Sequence, residues 1–171
     1  MASWKWLKNM LEYTHEDGSH IPYIGLAAST VGSAKDRTKW LEMCFSIIKA
    51  SSNPNVMTHG FGTTSLAVLK LFPLTSADST TWIQTACHGQ IILDEKTHVL
   101  SDRRLKDGKN VIYSNPEFYE SLKSRISEFG YDIEKLIEDA YERQFFNLTY
   151  LQHWTDNRNY NPIEIRQTTL W

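Results

Sequence analysis

Residues 55–90 read NVMTHGFGTTSLAVLKLFPLTSADSTTWIQTACHGQ, and this stretch decides the fold. A short β-branched run ends at Thr58 and leads into the glycine turn HGFG, after which the chain is apolar at helical spacing. A second short strand ends at Asp78 and leads into another helix. Two consecutive strand–turn–helix units predict neighbouring parallel strands. Functional groups of parallel sheets gather at the carboxyl ends of the strands, where Gly60, Gly62 and Asp78 would lie.

The composition is that of a globular protein. The chain has 171 residues, of which 41% are hydrophobic and 22% charged, so it can bury a core. Its net charge of -2 gives no overall basic field of the kind that favours nucleic-acid binding, although a local basic patch would suffice. Cys44 and Cys87 have no partner at metal-ligand spacing, so we predict buried free thiols in a reducing compartment.

The localisation follows from what the sequence lacks. The N-terminal residues do not read as a signal peptide, and no apolar run approaches the roughly 20 residues of a membrane span. We therefore expect a cytoplasmic protein with no membrane partner.

The chain before the central stretch continues the same alternation of strands and helices. The run YIGLA, residues 23–27, is a predicted strand. The glycine inside it, Gly25, marks either the close approach of a backbone or ligand, or a β-bulge. Ser33 and Asp36 form a capping-box-like start for a helix that runs to about Ala50.

After the central stretch the pattern changes. Residues 90–94 and 98–101 predict a short antiparallel pair, and a polar, basic loop follows. Asn115, followed by proline, predicts a helix start, and Asp132 begins the last long helix. The apolar side chains of this helix that are predicted to face inward are Ile133, Leu136, Ile137, Tyr141, Phe145, Leu148 and Leu151.

The order of elements predicts an α/β fold with right-handed crossovers. Three parallel strands cannot close a barrel, and an open three-stranded sheet would leave both edges unpaired. We therefore expect the chain to be part of a larger architecture.

The motifs resemble a known family. The series YIGLA, helix, HGFG, a strand ending in DSTTW, and HGQI is similar to the last three β/α units of the tRNA-guanine transglycosylase superfamily. These enzymes are TIM barrels that exchange guanine for a 7-deazaguanine. HGFGTTS and ADSTTW are most similar to the phage-encoded branch, which includes 7-deazaguanine DNA transglycosylases. A phage-encoded member would act in the host cytoplasm.

The resemblance implies a division of the chain. Residues 1–95 would form a partial TIM (β/α)8 barrel, its last three β/α units. Residues 96–171 would be a C-terminal helical extension, consisting of the basic loop and the C-terminal helices packed on the barrel part.

The resemblance implies that Asp78 is the nucleophile. Its ionised carboxylate would attack the anomeric carbon as the glycosidic bond breaks, giving a covalent aspartyl-glycosyl intermediate that the incoming base resolves. The residues alone leave a second interpretation, in which Asp78 caps the helix that follows it.

The resemblance also implies a set of base-binding positions, which are Gly25, Leu26, Ala27, His59, Gly60, Phe61 and Gly62. Glycines would let a flat heterocycle approach the backbone, and Phe61 is able to stack on a base. His59 has the alternative of a purely structural role. Arg103 and Arg104 in the basic loop are candidate phosphate contacts, with a solvated charge run as the alternative.

The sequence departs from the family pattern in two ways, which concern the zinc site and the general acid/base residue. The family's tRNA enzymes carry a zinc site after the barrel, built from C-x-C-x-x-C and a later histidine, but no cysteine follows Cys87 here. We therefore expect no metal and no cofactor. The first five or so strands of the eight-stranded barrel are also absent, and in the family they supply the general acid/base aspartate.

A chain that lacks these strands is expected to be inactive alone. It would need a second chain that supplies the N-terminal half of the barrel, or a homo-oligomer, and would act on DNA or tRNA with a 7-deazaguanine base. The rival hypothesis is a non-catalytic binding or interaction module that retains the barrel-derived fold, with Trp4, Trp6 and Trp171 in partner-facing patches. A remnant without function is the third possibility.

Overall fold

The computed structural model describes residues 2–27, 32–63, 65–101 and 111–157. Contacts divide these into two compact units, a sheet unit of residues 2–79 and a helical unit of residues 80–157. The division therefore falls between Ser79 and Thr80, whereas the sequence-based division was placed after residue 95. Together the described residues form a mixed α/β fold with seven α-helices and two small sheets.

The sheet unit alternates helices and strands. Its elements are α1 (Ala2–Glu12), β1 (Tyr23–Ala27), α2 (Ala34–Lys49), β2 (Met57–Phe61), α3 (Leu66–Leu71) and β3 (Ser76–Ala77). The three strands are parallel and lie in the order β1-β2-β3, as predicted. The register pairs Gly25 with His59 and His59 with Ser76.

One face of this sheet is buried and the other is open. Ile24, Leu26 and Thr58 are at most 4% exposed, whereas Tyr23 and Phe61 on the opposite face are 42% and 47% exposed. Right-handed crossovers between strands in sequential order place the connecting helices on the same side of a sheet. The buried side chains of the helices in this unit are Leu7, Leu11, Leu41, Cys44, Phe45, Ile48, Leu66 and Leu69.

Local sequence signals account for the element ends. Ser33 Oγ accepts a hydrogen bond from the Asp36 backbone N–H at 3.3 Å, and Asp36 Oδ2 accepts one from the Ser33 N–H at 3.0 Å. This reciprocal capping box confirms the predicted start of α2. In the same way, Asn115 Oδ1 accepts from the Phe118 N–H at 3.1 Å and caps the helix that begins at Pro116.

The glycine turn begins later than predicted. β2 continues through His59, Gly60 and Phe61, so these residues belong to the strand and not to a turn. Gly60 faces the core, where a Cβ would stand 2.8 Å from Leu74 Cδ1. Gly62, with a φ of +64°, is the residue that adopts the left-handed conformation.

The helical unit consists of α4 to α7, one hairpin and a 3-10 turn. Its elements are α4 (Thr81–Cys87), β4 (Gln90–Leu93), β5 (Lys96–Val99), the 3-10 turn Val111–Ser114, α5 (Pro116–Ser127), α6 (Ile133–Glu138) and α7 (Ala140–Asp156). β4 and β5 are antiparallel, as predicted. β4 ends one residue earlier than predicted, and β5 both begins and ends two residues earlier.

The predicted last long helix is two helices. Asp139 is extended, with φ −110° and ψ 125°, and its carboxylate accepts from the Tyr141 N–H at 2.7 Å to cap α7. The break shifts the helical phase, so the inward prediction is wrong for Tyr141, Phe145 and Leu148, which are 70%, 60% and 44% exposed. The buried side chains of α7 are Arg143, Phe146, Asn147 and Tyr150.

The two polar members of this buried set bond to the main chain. Arg143 Nε donates to the Ala86 carbonyl at 2.8 Å, and its Nη1 donates to the carbonyls of Leu136 and Ile137 at 2.6 and 3.1 Å. Asn147 links α7 to two further elements, because it accepts from the N–H of Ile92 at 2.7 Å and donates to the carbonyl of Trp82 at 3.0 Å.

The cysteine prediction is half right. Cys44 is a buried free thiol, but Cys87 is free and exposed. Burial raises the pKa of the Cys44 thiol to about 12. No helix within the described ranges combines the length and the apolar character that crossing a bilayer requires.

Candidate functional site

A chain of polar contacts runs along the open face of the parallel sheet. Its members are Tyr23 on β1, His59 on β2, Ser76 on β3, and Asp78, which follows β3. Side chains of one strand point to the same face when they are two residues apart. His59 and Ser76 are direct register partners, so their side chains also share that face.

The first part of the chain of contacts joins all three strands. Tyr23 Oη lies 2.5 Å from Ser76 Oγ, so the tyrosine side chain reaches across β2 to β3. The same Ser76 oxygen lies 2.5 Å from His59 Nδ1. Ser76 therefore bridges the phenol and the imidazole.

The second part of this series of polar contacts ends at the Asp78 carboxylate. Asp78 Oδ1 accepts a hydrogen bond from the Gly62 N–H at 2.9 Å, and His59 Nε2 lies 3.7 Å from the same oxygen. The carboxylate is nonetheless accessible, since the Asp78 side chain is 62% exposed while that of His59 is only 20% exposed.

The backbone of Asp78 is tied to the end of β2 on both sides. Its N–H donates to the Gly60 carbonyl at 3.2 Å, and its carbonyl accepts from the Thr63 N–H at 2.7 Å. These bonds hold Asp78 beside the end of β2, one residue past the end of β3. The N-cap of α4 is Thr80, so Asp78 does not occupy the capping position that the alternative interpretation gave it.

The predicted base-binding residues divide between the two faces of the sheet. Gly25, Ala27, His59 and Phe61 alternate with buried positions and lie on the open face, and Gly62 follows at its carboxyl end. Leu26 and Gly60 lie on the buried face, the former only 3% exposed. The structure thus places most of the predicted positions on the open face or at its carboxyl end, but not the Leu26 side chain or the Cα hydrogens of Gly60.

Phe61 covers the space above Gly25. A Cβ on Gly25 would clash with Cε2 of the Phe61 ring, so the missing side chain makes room for an aromatic ring of this chain itself. The Phe61 ring also meets the His59 ring edge-on, with centroids 4.5 Å apart and an interplanar angle of 71°. Phe61 therefore holds the place that the sequence assigned to a bound base.

Arg103 and Arg104 lie outside the described residues. Within the described ranges, no three His, Cys, Asp or Glu side chains come together in a way that could hold a metal ion.

Sequence reasoning missed Tyr23 and Ser76. Both were placed on strands, yet neither was connected to His59. Side chains alternate between the two faces of a strand, so the sequence alone places Tyr23 on the same face as Gly25, and Ser76 on the same face as Asp78. The register between strands was needed to bring these faces together.

Comparison with known proteins adds no relative. No family model matches the chain, and no curated protein or solved structure is significantly similar to it.

Proposed function

We propose that this chain is the C-terminal part of a TIM-barrel base-exchange transglycosylase, which replaces guanine with a 7-deazaguanine in DNA, or alternatively in tRNA. One observation carries the proposal. An accessible carboxylate, Asp78, stands at the carboxyl end of a parallel strand and is held there by the Gly62 N–H at 2.9 Å. Catalytic groups of TIM barrels occupy this position.

The sheet geometry supports the barrel part of the proposal. Strands in sequential parallel order, with one face buried and one open, are what a segment of a closed barrel would present. The open face would line the barrel interior once further strands close the cylinder. A second chain or another copy that contributes those strands is therefore part of the proposal.

The proposed chemistry uses Asp78 as nucleophile. One carboxylate oxygen bonds to C1′ of the nucleotide while the C1′–N9 bond to guanine breaks, and the electron pair of that bond stays on the base. The departing base takes a proton from a general acid, which the family resemblance places in the β/α units that precede these three. The same group, now acting as general base, takes the N9 proton of the incoming base, which bonds to C1′ and releases the Asp78 carboxylate.

Phe61 sets a condition for base binding. Its ring covers Gly25, so a base reaches the Gly25 backbone only if the ring turns away, and otherwise stacks on the outer side of the ring. Phe61 is 47% exposed, which leaves room for either arrangement.

The test combines the full chain with a protein that supplies the preceding β/α units, and measures exchange of labelled guanine into DNA and tRNA. We expect Asp78→Ala and Asp78→Asn to reduce exchange, and the denaturant-stable protein–nucleic-acid adduct, to background. Asp156→Asn, a change to an exposed carboxylate at the end of α7, is the matched control and should keep full activity. Full exchange by the Asp78→Ala complex would remove Asp78 from the mechanism.

A binding module is the second candidate, and the exposed apolar side chains of the open face favour it. Tyr23, Met57 and Phe61 are 42%, 46% and 47% exposed on one sheet surface, which is suited to contact with another protein. Under this alternative, the chain binds its partner with the same affinity whether or not a 7-deazaguanine is present, and Asp78→Ala leaves that affinity unchanged.

A further inference from the structure

We propose that Tyr23 and Ser76 form a directed hydrogen-bond relay that fixes His59 in its Nε2–H tautomer, and that His59 thereby acts as the positioning residue of the Asp78 carboxylate. The relay holds Oδ1 of Asp78 and leaves Oδ2 as the attacking oxygen. The functional half of this inference rests on the proposed exchange reaction, whereas the tautomer can be measured without it.

The single hydroxyl hydrogen of Ser76 prevents the serine from donating to both of its partners. Ser76 Oγ lies 2.5 Å from both Tyr23 Oη and His59 Nδ1, but a serine hydroxyl has only one hydrogen to donate. If the phenol of Tyr23 donates to Ser76 Oγ, the serine hydrogen is directed at His59 Nδ1. Nδ1 then accepts, and the ring proton of neutral His59 resides on Nε2.

The carboxylate at the far end selects this direction over the reverse one. His59 Nε2 lies 3.7 Å from Asp78 Oδ1. In the reverse relay Nε2 would be unprotonated, and its lone pair would face a negatively charged oxygen. In the proposed direction an N–H faces that oxygen, which is the favourable arrangement for an ionised carboxylate. The separation exceeds a direct hydrogen bond, and such contacts in unliganded sites commonly shorten when substrate binds.

The contacts of the carboxylate are unequal at its two oxygens. Among the described residues, the hydrogen bond from Gly62 and the approach of His59 both involve Oδ1. The Gly62 hydrogen bond orients the carboxylate through Oδ1, and a His59 N–H directed at the same oxygen adds an electrostatic attraction there. Oδ2 is therefore the oxygen directed towards an anomeric carbon in the open face.

The imidazole itself is well constrained. It is held at Nδ1 by Ser76, its side chain is only 20% exposed, and the Phe61 ring packs against it edge-on. A ring fixed in this way orients the carboxylate before substrate arrives, which is the advantage of a positioned catalytic group.

The tautomer is measured on the full chain by long-range ¹H–¹⁵N correlation spectra of histidine at about pH 8, where an ordinary histidine is neutral. We expect His59 to carry its proton on Nε2. Ser76→Ala should convert it to a mixture of tautomers, and Tyr23→Phe should produce a smaller change in the same direction. The exposed His88 is the internal reference and should be unaffected. Finding the proton on Nδ1 in the unmodified chain would overturn the relay.

The positioning role is measured on the complex used for the exchange assay. Ser76→Ala should slow the formation of the covalent adduct by about 10-fold to 100-fold, the size expected for a misplaced reacting group, and leave the affinity for the base unchanged. Ser76→Thr keeps the hydroxyl and should restore most of the rate. Unchanged adduct formation in Ser76→Ala would refute the positioning role.

The two failures are distinguishable. An unmodified complex that performs no exchange refutes the proposed function, and the positioning role falls with it, but an Nε2–H tautomer that depends on Ser76 still establishes the relay. Conversely, active exchange with an Nδ1–H tautomer retains the proposed function and refutes the relay.

Discussion

On the open face of the sheet unit, polar side chains bond to one another at an accessible surface, whereas the buried arginine and asparagine of the helical unit bond to the main chain. The Ser76 hydroxyl contacts the His59 ring at 2.5 Å on the open face. Arg143 and Asn147 are 1% and 0% exposed, and their hydrogen bonds end on backbone groups of neighbouring elements. The difference separates groups that are accessible to a ligand from groups that hold helices together.

The same contrast is the reason why we place the proposed site in the sheet unit. A buried arginine is a conspicuous residue in any search for a site. Arg143, however, donates to three carbonyls at 2.6–3.1 Å and is only 1% exposed, so it is not accessible to a ligand. Asp78, by contrast, is 62% exposed and keeps an accessible oxygen. Exposure and the nature of the partners, not residue type, distinguish the two cases.

The largest expected effect is that of Arg143→Ala, which tests the structural side of the comparison. The change leaves three buried carbonyls without this donor, and each buried unsatisfied group costs about 1–3 kcal/mol. We expect the free energy of unfolding of the helical unit to fall by about 3 kcal/mol or more, measured by urea denaturation and by hydrogen exchange of α4 and α6. Gln152→Ala, on the exposed side of α7, should change it by less than about 0.5 kcal/mol. A loss below about 1 kcal/mol for Arg143→Ala would contradict the structural role that we assign to Arg143 in the helical unit.

The second prediction compares the two faces of the parallel sheet. A Cβ on Gly60 would lie 2.8 Å from Leu74 Cδ1 in the core, so Gly60→Ala should cost about 1–3 kcal/mol by overpacking. The three atoms nearest to a Cβ on Gly25 belong to the Phe61 side chain, which is 47% exposed and can rotate into solvent. Gly25→Ala should therefore cost less than about 1 kcal/mol, because the more restricted unfolded chain offsets part of the loss. Urea denaturation of both variants measures the difference, and equal costs would show that the open face is as tightly packed as the core.

The third prediction concerns the two thiols and has the smallest effect on the fold. At about pH 8, iodoacetamide should label the exposed Cys87 and spare Cys44, whose pKa burial raises to about 12. The unfolded Cys44 thiol ionises at its ordinary pKa of 9.0, so its contribution to stability is fully present below pH 9 and is lost as pH rises towards about 12. A Cys44→Ala variant should lose this alkaline decline. Rapid labelling of Cys44 in the folded chain would refute the burial.

Several features of the fold could be predicted because their causes are local. The capping box of Ser33 and Asp36 depends on a spacing of three residues, and the helix start at Asn115 depends on one side chain and the proline after it. The strand YIGLA is similarly marked by its composition and its flanking Pro22. Signals of this kind are fully contained in a short segment.

The features that could not be predicted depend on packing between segments. The break at Asp139 changes which side chains of α7 are buried. One extended residue shifts the helical phase of all the residues that follow it. The strand through His59-Gly60-Phe61 looked like a turn, since glycine is read as a breaker, whereas Gly60 is required by the proximity of Leu74. Neither effect is visible in the local pattern.

The candidate site divides in the same way. The sequence placed Asp78, His59 and Gly62 near one another, since all three stand at or near the ends of adjacent strands. It could not supply Ser76 and Tyr23, because their roles depend on the register that pairs His59 with Ser76 and on the reach of a tyrosine across a whole strand.

The chain-order arrangement of β1, β2 and β3 has one further consequence. Any additional strand joins at an edge of the sheet, beside β1 or beside β3. His59 lies on the central strand, β2, so an added strand does not separate it from its neighbours on β1 and β3. Asp78, however, follows the edge strand β3, so a strand that pairs with β3 becomes its immediate neighbour. Extension of the sheet would thus leave the strands on either side of the His59 imidazole unchanged, and an extension at β3 would place the Asp78 carboxylate where the added strand meets β3.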